Sequence, residues 1–169
     1  KNAKINDINN ATYLNDQEKQ DLIDQATQAA NDATKAIKSA QTNDEVKNAE
    51  TTGLNNINNI TIPSLAEKQQ DAIKELDQAR DNKANAIENA ADLTTDEKNS
   101  LKDKVQAEYS NAVSNVTSAT TDDAVTAAKD AGITAINDIE IPTKSGAKEK
   151  ATTDLNNAVD EAKKAIDQD

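Results

Sequence analysis

The chain has 169 residues, 31 acidic against 19 basic side chains, a net charge of −12, and no Cys, His, Met, Trp or Phe. That inventory removes disulfides, thiol and imidazole catalysis, and Cys- or His-based metal sites, and the negative charge repels nucleic acid and anionic membranes alike. Charged residues are 30% of the chain and aromatics 1%, a balance common in disordered segments, so the case for order rests on pattern.

Residues 1–12 place Ile8 and Ala11 at helical spacing and read as the end of a helix that appears whole from Ser64 to about Ala91, where Ile87 and Ala90 are the counterparts. Asn15 with Glu18 then forms a capping box, in which each side chain satisfies a backbone amide that no helical carbonyl can reach. Thr94 with Glu97 repeats it. The helices that follow span about 15–40 and 94–119. Their apolar stripes are Leu22, Ala26, Ala30, Ala33, Ile37, Ala40 and Leu101, Val105, Tyr109, Ala112, Val116, Ala119. Steps of three and four put each set on one helix face, with Lys, Asp, Glu, Gln, Asn and Ser on the other.

Thr42 with Glu45 caps the next helix, and Thr121 caps its counterpart alone, because Ala124 stands in the partner position. The inward stripes are Val46, Ala49, Gly53, Ile57, Ile60 and Val125, Ala128, Gly132, Ile136, Ile139. A mid-helix glycine costs about 1 kcal/mol relative to alanine. Its recurrence points to a close approach by a neighbouring helix, with a hinge as the alternative. Both helices must stop before Pro63 and Pro142, since proline disfavours helical geometry in the preceding residue. Ile62 and Ile141 then plug the end of the bundle. The helix from Ser64 carries Ala72, Leu76, Ala79, Ala86, Ile87 and Ala90, and its copy at 146–169 carries Ala151, Leu155, Ala158, Ala165 and Ile166.

The duplication is exact in length. Residues 1–63 align without a gap on 80–142 with 23 identities, and Gly53/Gly132 and Pro63/Pro142 are each 79 residues apart. The division is 1–63, a first repeat whose first helix is short; 64–142, a complete repeat of three helices; and 143–169, the first helix of a third. The fold class is all-α, with tandem antiparallel three-helix bundles. One such helix cannot bury its stripe alone, and short turns make neighbours antiparallel. An odd number of helices lets the chain leave a bundle at the end opposite its entry, so stacking end to end into a rod is expected. A helix of about 28 residues gives an advance of about 42 Å per repeat.

Candidate sites are few. Asp122-Asp123, Asp96-Glu97 and Asp160-Glu161 are the densest acidic clusters, but none has the spacing or glycine turn of a calcium loop, and acids at helix starts suit the helix dipole. A carboxylate pair could do acid–base work only inside a cleft, which slim alanine-cored bundles lack, and there is no phosphate loop. The chain reads as a non-enzyme with no cofactor. Of the two tyrosines, Tyr109 belongs to the core stripe and Tyr13 precedes a cap, where it could anchor a partner. No apolar run reaches the length of a membrane span, and the missing initiator Met suggests an excised fragment.

The segments L-T-T-D-E-K at 93–98, A-T-T-D-D-A-V at 119–125, and A-G-I-T-A-I-N followed by I-P within 131–142 resemble the family called domain of unknown function 1542. That family is similar in style to the FIVAR modules of giant matrix-binding proteins. The resemblance implies helical repeats of a cell-wall-anchored, extracellular surface protein of Gram-positive bacteria, whose anchor and signal peptide lie elsewhere, and it brings no catalytic residues. Two functions follow as expectations. The first is a monomeric, rod-like stalk that carries another domain away from the cell. The second is an adhesin module that binds a host extracellular-matrix protein or a neighbouring cell surface. Caps, stripes, Gly and Pro persist between the copies while exposed residues vary, which favours the stalk.

Overall fold

The computed structural model describes residues 1–166, and among these every regular element is a helix. In order they are α1 (Asn2–Asn10), α2 (Asp16–Ser39), α3 (Asn43–Asn58), α4 (Leu65–Glu88), α5 (Thr95–Ser118), α6 (Asp122–Asn137) and α7 (Gly146–Ile166). The expected starts hold to within a residue. The full-length helices are shorter than expected, with 24, 24 and 16 residues in α4, α5 and α6. The last turn closes early: Ala90 N–H bonds to Ile87 O and Ala119 N–H to Val116 O, as Ala11 does to Ile8 and Ala40 to Ile37. These three-residue closures satisfy carbonyls that a longer helix would have used.

The chain forms two compact units that do not follow the sequence period. One comprises Lys1–Ala72 with Asn115–Ala128, the other Ile73–Ser114 with Lys129–Asp169. All three divisions between the units fall inside helices, one each in α4, α5 and α6, not at the Ile-Pro segments. In the first unit α1 and α3 pack on α2, and Ile8, Ala11, Leu14, Ala26, Ile57, Ala72, Val116 and Val125 are buried. In the second, Leu76, Ala79, Ile87, Leu93, Leu101, Val105, Ala112 and Ile136 are buried. Most of these belong to the stripes read from sequence.

The glycines mark close helix approaches. A Cβ on Gly53 would lie 2.2 Å from Ala33 Cβ, and one on Gly132 would lie 2.3 Å from Ala112 Cβ and 2.9 Å from Leu76 Cδ2. Separations that short admit no side chain, so the small residue permits the packing despite its poor helix propensity. Three expectations need correction. Ala86 is exposed, because its neighbour Ile87 takes the inward position. Ile37 and Val46 are exposed on α2 and α3, since α1 is too short to reach them. On α7 the stripe Ala151, Leu155, Ala158, Ala165 and Ile166 is exposed along its whole length, because no second helix lies against it. The expected positions 167–169 of that helix lie outside the described residues.

Candidate functional site

The residues with the densest polar connections sit where one repeat hands over to the next. Each joint is built on a capping box. Asn15 Oδ1 accepts the Glu18 N–H (2.9 Å) while Glu18 Oε2 accepts the Asn15 N–H (3.1 Å). Thr94 and Glu97 do the same, with bonds of 3.3 and 2.9 Å. Thr42 with Glu45 is a further box, and Thr121 caps Ala124 N–H alone at 3.3 Å. Ser64 and Glu67 form one more at the start of α4, with bonds of 3.2 and 2.7 Å; its Ser-x-x-Glu signature was legible in the sequence.

At the first joint, a carboxylate oxygen of Glu18 left free by the cap takes the ammonium of Lys68 from the first turns of α4. Lys68 Nζ also reaches Asp122 Oδ2 at 3.0 Å. The Asp122 N–H donates to the backbone oxygen of Tyr13 (2.8 Å), and Asn15 Nδ2 donates to Asp123 Oδ1 (2.9 Å). Gln69 Nε2 closes the end of α5 by donating to Thr117 O and Ala119 O at 3.1 and 3.0 Å. Burial pushes the Asp122 carboxyl above its usual range, helped by the Glu18 carboxylate beside it. Burial acts the same way on Glu18, but hydrogen bonds from Lys68, Asp122 and Asn15 prevail and hold it low. Lys68 loses hydration here, yet the two carboxylates raise its pKa.

The second joint uses the same glutamate position with a different partner. Glu97 Oε1 accepts the backbone N–H of Ala147 (3.0 Å) in the first turn of α7, in place of a lysine. Ser145 is fully buried, its N–H donates to Asp92 Oδ2 (2.6 Å), and its Oγ caps Lys148 N–H (3.1 Å). Lys148 Nζ bonds Asp92 as well. The amides of Ala147 and Thr94, with the Ser145 hydroxyl, hold the Glu97 carboxyl down to about 2. Asp92 is lowered too, first by the Ser145 amide and then by Lys148. A carboxylate on orphan amides at a helix start is the arrangement that helix termini favour.

A second recurring device closes the far end of each third helix. Lys4 Nζ donates to Asn58 O and Ile60 O, both at 3.0 Å, and Lys83 Nζ, 79 positions on, to Asn137 O and Ile139 O at 2.7 and 2.9 Å. A cation on the last carbonyls offsets the negative end of the helix dipole. Beside each joint lies an open groove. The first, about 700 Å³, is lined by Leu14, Glu18, Asp21, Leu22, Asn59 and Pro63 among others. The second, about 300 Å³, is lined by Leu93, Glu97, Ser100, Leu101, Lys104 and Pro142 at matching positions.

The sequence-level candidates find structural places. Asp122 and Asp123 serve the first joint and Glu97 the second, while Asp160 and Glu161 lie on exposed α7. Tyr13 is half-buried and enters the joint through its carbonyl. Tyr109 is half-buried rather than fully enclosed: its hydroxyl donates to Asp77 (2.8 Å), and the Arg80 guanidinium sits 4.5 Å from the ring centre. The Asp77 bond, then burial, raises the Tyr109 pKa. Lys4, Lys83 and Lys68 were not singled out by sequence, because a lysine on a polar face reads as solvated. For Lys4 and Lys83 the usable signal was identity at 79-residue spacing on a face that otherwise varies. Among the described residues, no group of three or more acidic side chains is placed to hold a metal, and no helix is long and apolar enough to cross a membrane.

Capped helices in a 79-residue period, joined through the caps themselves, define a tandem helical-repeat protein. The chain belongs to the family described as Domain of Unknown Function (DUF1542), whose model matches residues 1–65 and again 68–144. It is similar to the extracellular matrix-binding protein EbhA of Staphylococcus aureus strain Newman, at 30% identity over 166 residues, 98% of this chain and 5% of that protein. The extracellular matrix-binding protein ebh of strain NCTC 8325 / PS 47 matches equally over 2% of its length. The chain thus spans a small fraction of these curated relatives. No solved structure matches it.

Proposed function

We propose that the chain is a spacer region of a longer bacterial surface protein, anchored at the cell wall, whose repeats 1–63, 64–142 and 143–169 carry another domain outward. One observation carries this reading: in both joints the capping-box glutamate, Glu18 or Glu97, also holds the first turn of the next repeat's opening helix. A residue that helix termination requires therefore doubles as the coupling, so coupling is kept wherever the repeat is kept. Such nearest-neighbour coupling is how linear repeats accumulate stability. The spacer is monomeric and elongated. Small-angle scattering at about 150 mM salt, where charge repulsion is screened, tests it. Two repeats at about 36 Å each, from the 24-residue length of α4 and α5, require a radius of gyration of about 21 Å, taking a thin rod's length over the square root of twelve. A value of about 15–16 Å, the globular scaling for this length, would sink the spacer.

A second reading has its own support. The groove beside each joint recurs at matched positions, and a module repeated for avidity should present a repeated surface. The relatives are named for matrix binding. Solid-phase binding of this chain to host matrix proteins decides between them. Saturable submicromolar binding, lost on Leu22→Asp in the first groove, would make the repeats themselves the adhesin.

A further inference from the structure

We propose that the groove between the start of α2 and the end of α3 docks an extended basic peptide, an apolar side chain on its floor and a Lys or Arg beside Asp21. The inference rests on the reading above in which the repeats themselves bind, and it narrows that reading to one copy. Leu14, Leu22, Ile60 and Pro63 form the floor. Each is the same residue 79 positions on, at Leu93, Leu101, Ile139 and Pro142. A groove opens there too, in the repeat that has the 24-residue α4, so the shortness of α1 does not create it.

The floors agree and the rims do not. In the first copy Gln25, Asn56, Asn59 and Thr61 stand exposed around the floor, where the second copy has Lys104, Ala135, Asp138 and Glu140. Among the described residues, none of the four first-copy side chains is used in a hydrogen bond. A carboxamide offers a donor and an acceptor together, which matches the N–H and C=O of an extended backbone. The charge is one-sided as well: Glu18 and Asp21 line the first groove, and no Lys or Arg does. Lys68 already engages Glu18, but Asp21 is held by a neutral donor, Gln17 Nε2 at 2.8 Å. A cation next to an apolar residue is complementary to that set, whereas Lys104 repels it from the second groove. The lining contains no aromatic ring on which a sugar could stack.

Amide NMR on the full chain tests this with three probes: the end-blocked peptide Ser-Thr-Lys-Leu-Lys-Thr-Ser, its counterpart with Glu in place of both Lys, and a tetramer of N-acetylglucosamine. The basic peptide is expected to give saturable shifts at Leu22, Asn56 and Ile60, and none at Leu101 or Ile139. Gln25→Lys, through like charge, and Asn56→Ala, through a lost hydrogen bond, should each weaken binding about tenfold. Both introduce residues that the second copy carries at those registers, so helical content by circular dichroism stays unchanged. Equal shifts from the acidic peptide, shifts in both grooves alike, the sugar acting in place of the peptide, or no shift at all would each overturn the proposal. Failure of the wider reading is distinguishable. Matrix proteins that bind the unaltered chain and Gln25→Lys equally would leave the repeats adhesive and sink the groove assignment alone.

Discussion

The α2–α3 pair and the α5–α6 pair carry one stripe at one spacing, and they differ in how much of it is dry. Near the joint both are closed: Ala26 and Val105 are buried, as are Ile57 and Ile136. At the opposite end α5–α6 stays closed, while Ile37 and Val46 are open to solvent. What separates them is the third helix, 24 residues in α4 against nine in α1. Two helices can set a register and cap each other's ends, but the third makes a core. Leu155 and Leu76, one residue type at one register, give the same lesson.

The sharpest way to exploit the comparison is to shorten the same residue in both places. Leu76→Ala removes a fully buried side chain beside Gly132 and should cost about 2–5 kcal/mol. Leu155→Ala, in dilute solution, should change stability by less than about 0.5 kcal/mol. Urea unfolding of the two variants checks this, and equal losses would mean that the stripe of α7 is buried in solution.

Next in size are the glycines. Gly132→Leu should improve helix propensity yet overpack against Ala112 and Leu76, at about 1–3 kcal/mol. That lowers the melting temperature by several degrees for a chain of this length. Gly53→Leu meets only Ala33 within reach, in a pair with no third helix behind its open end, so its loss should be smaller. An unchanged or raised melting temperature for Gly132→Leu would revive the hinge.

The smallest effect separates the joints by pH. Glu97 has its pKa lowered from 4.5 to about 2, so the folded state binds that proton less readily than the unfolded chain. Its contribution is present above pH 4.5 and is lost progressively as pH falls toward 2. Asp92 acts in the same sense. At the first joint the raised Asp122 works against the lowered Glu18, because protonating Asp122 favours the fold as pH falls. Glu97→Gln should therefore flatten the acid dependence of melting between pH 5 and 2.5 more than Glu18→Gln does. Parallel curves for both variants would show that the joints do not differ.

Much of the fold was legible because helix ends are written in local chemistry. Asn15/Glu18, Thr42/Glu45 and Thr94/Glu97 announced their starts, Pro63 and Pro142 bounded their stops, and the recurrent glycine signalled a close crossing. What sequence could not show was which stripes find a partner, since Leu155 and Leu76 sit in the same pattern and burial depends on a second helix. Nor could it show that Glu18 and Glu97 serve two partners. The cap is a contact three residues away, whereas Lys68 and Ala147 are each 50 residues distant.

The brevity of the connections has a consequence for proteolysis. Trypsin needs Lys or Arg in a segment that can leave its hydrogen bonds, and interhelix segments are where that occurs most readily. The segments 11–15, 40–42, 59–64, 89–94 and 119–121 contain neither residue. Only 138–145 does, at Lys144, whose side chain is 74% exposed. Beyond it lies α7, with lysines and no buried residue. The first cuts therefore fall at or after Lys144, and a digest should trim the chain to residues 1–144 before it opens any other helix.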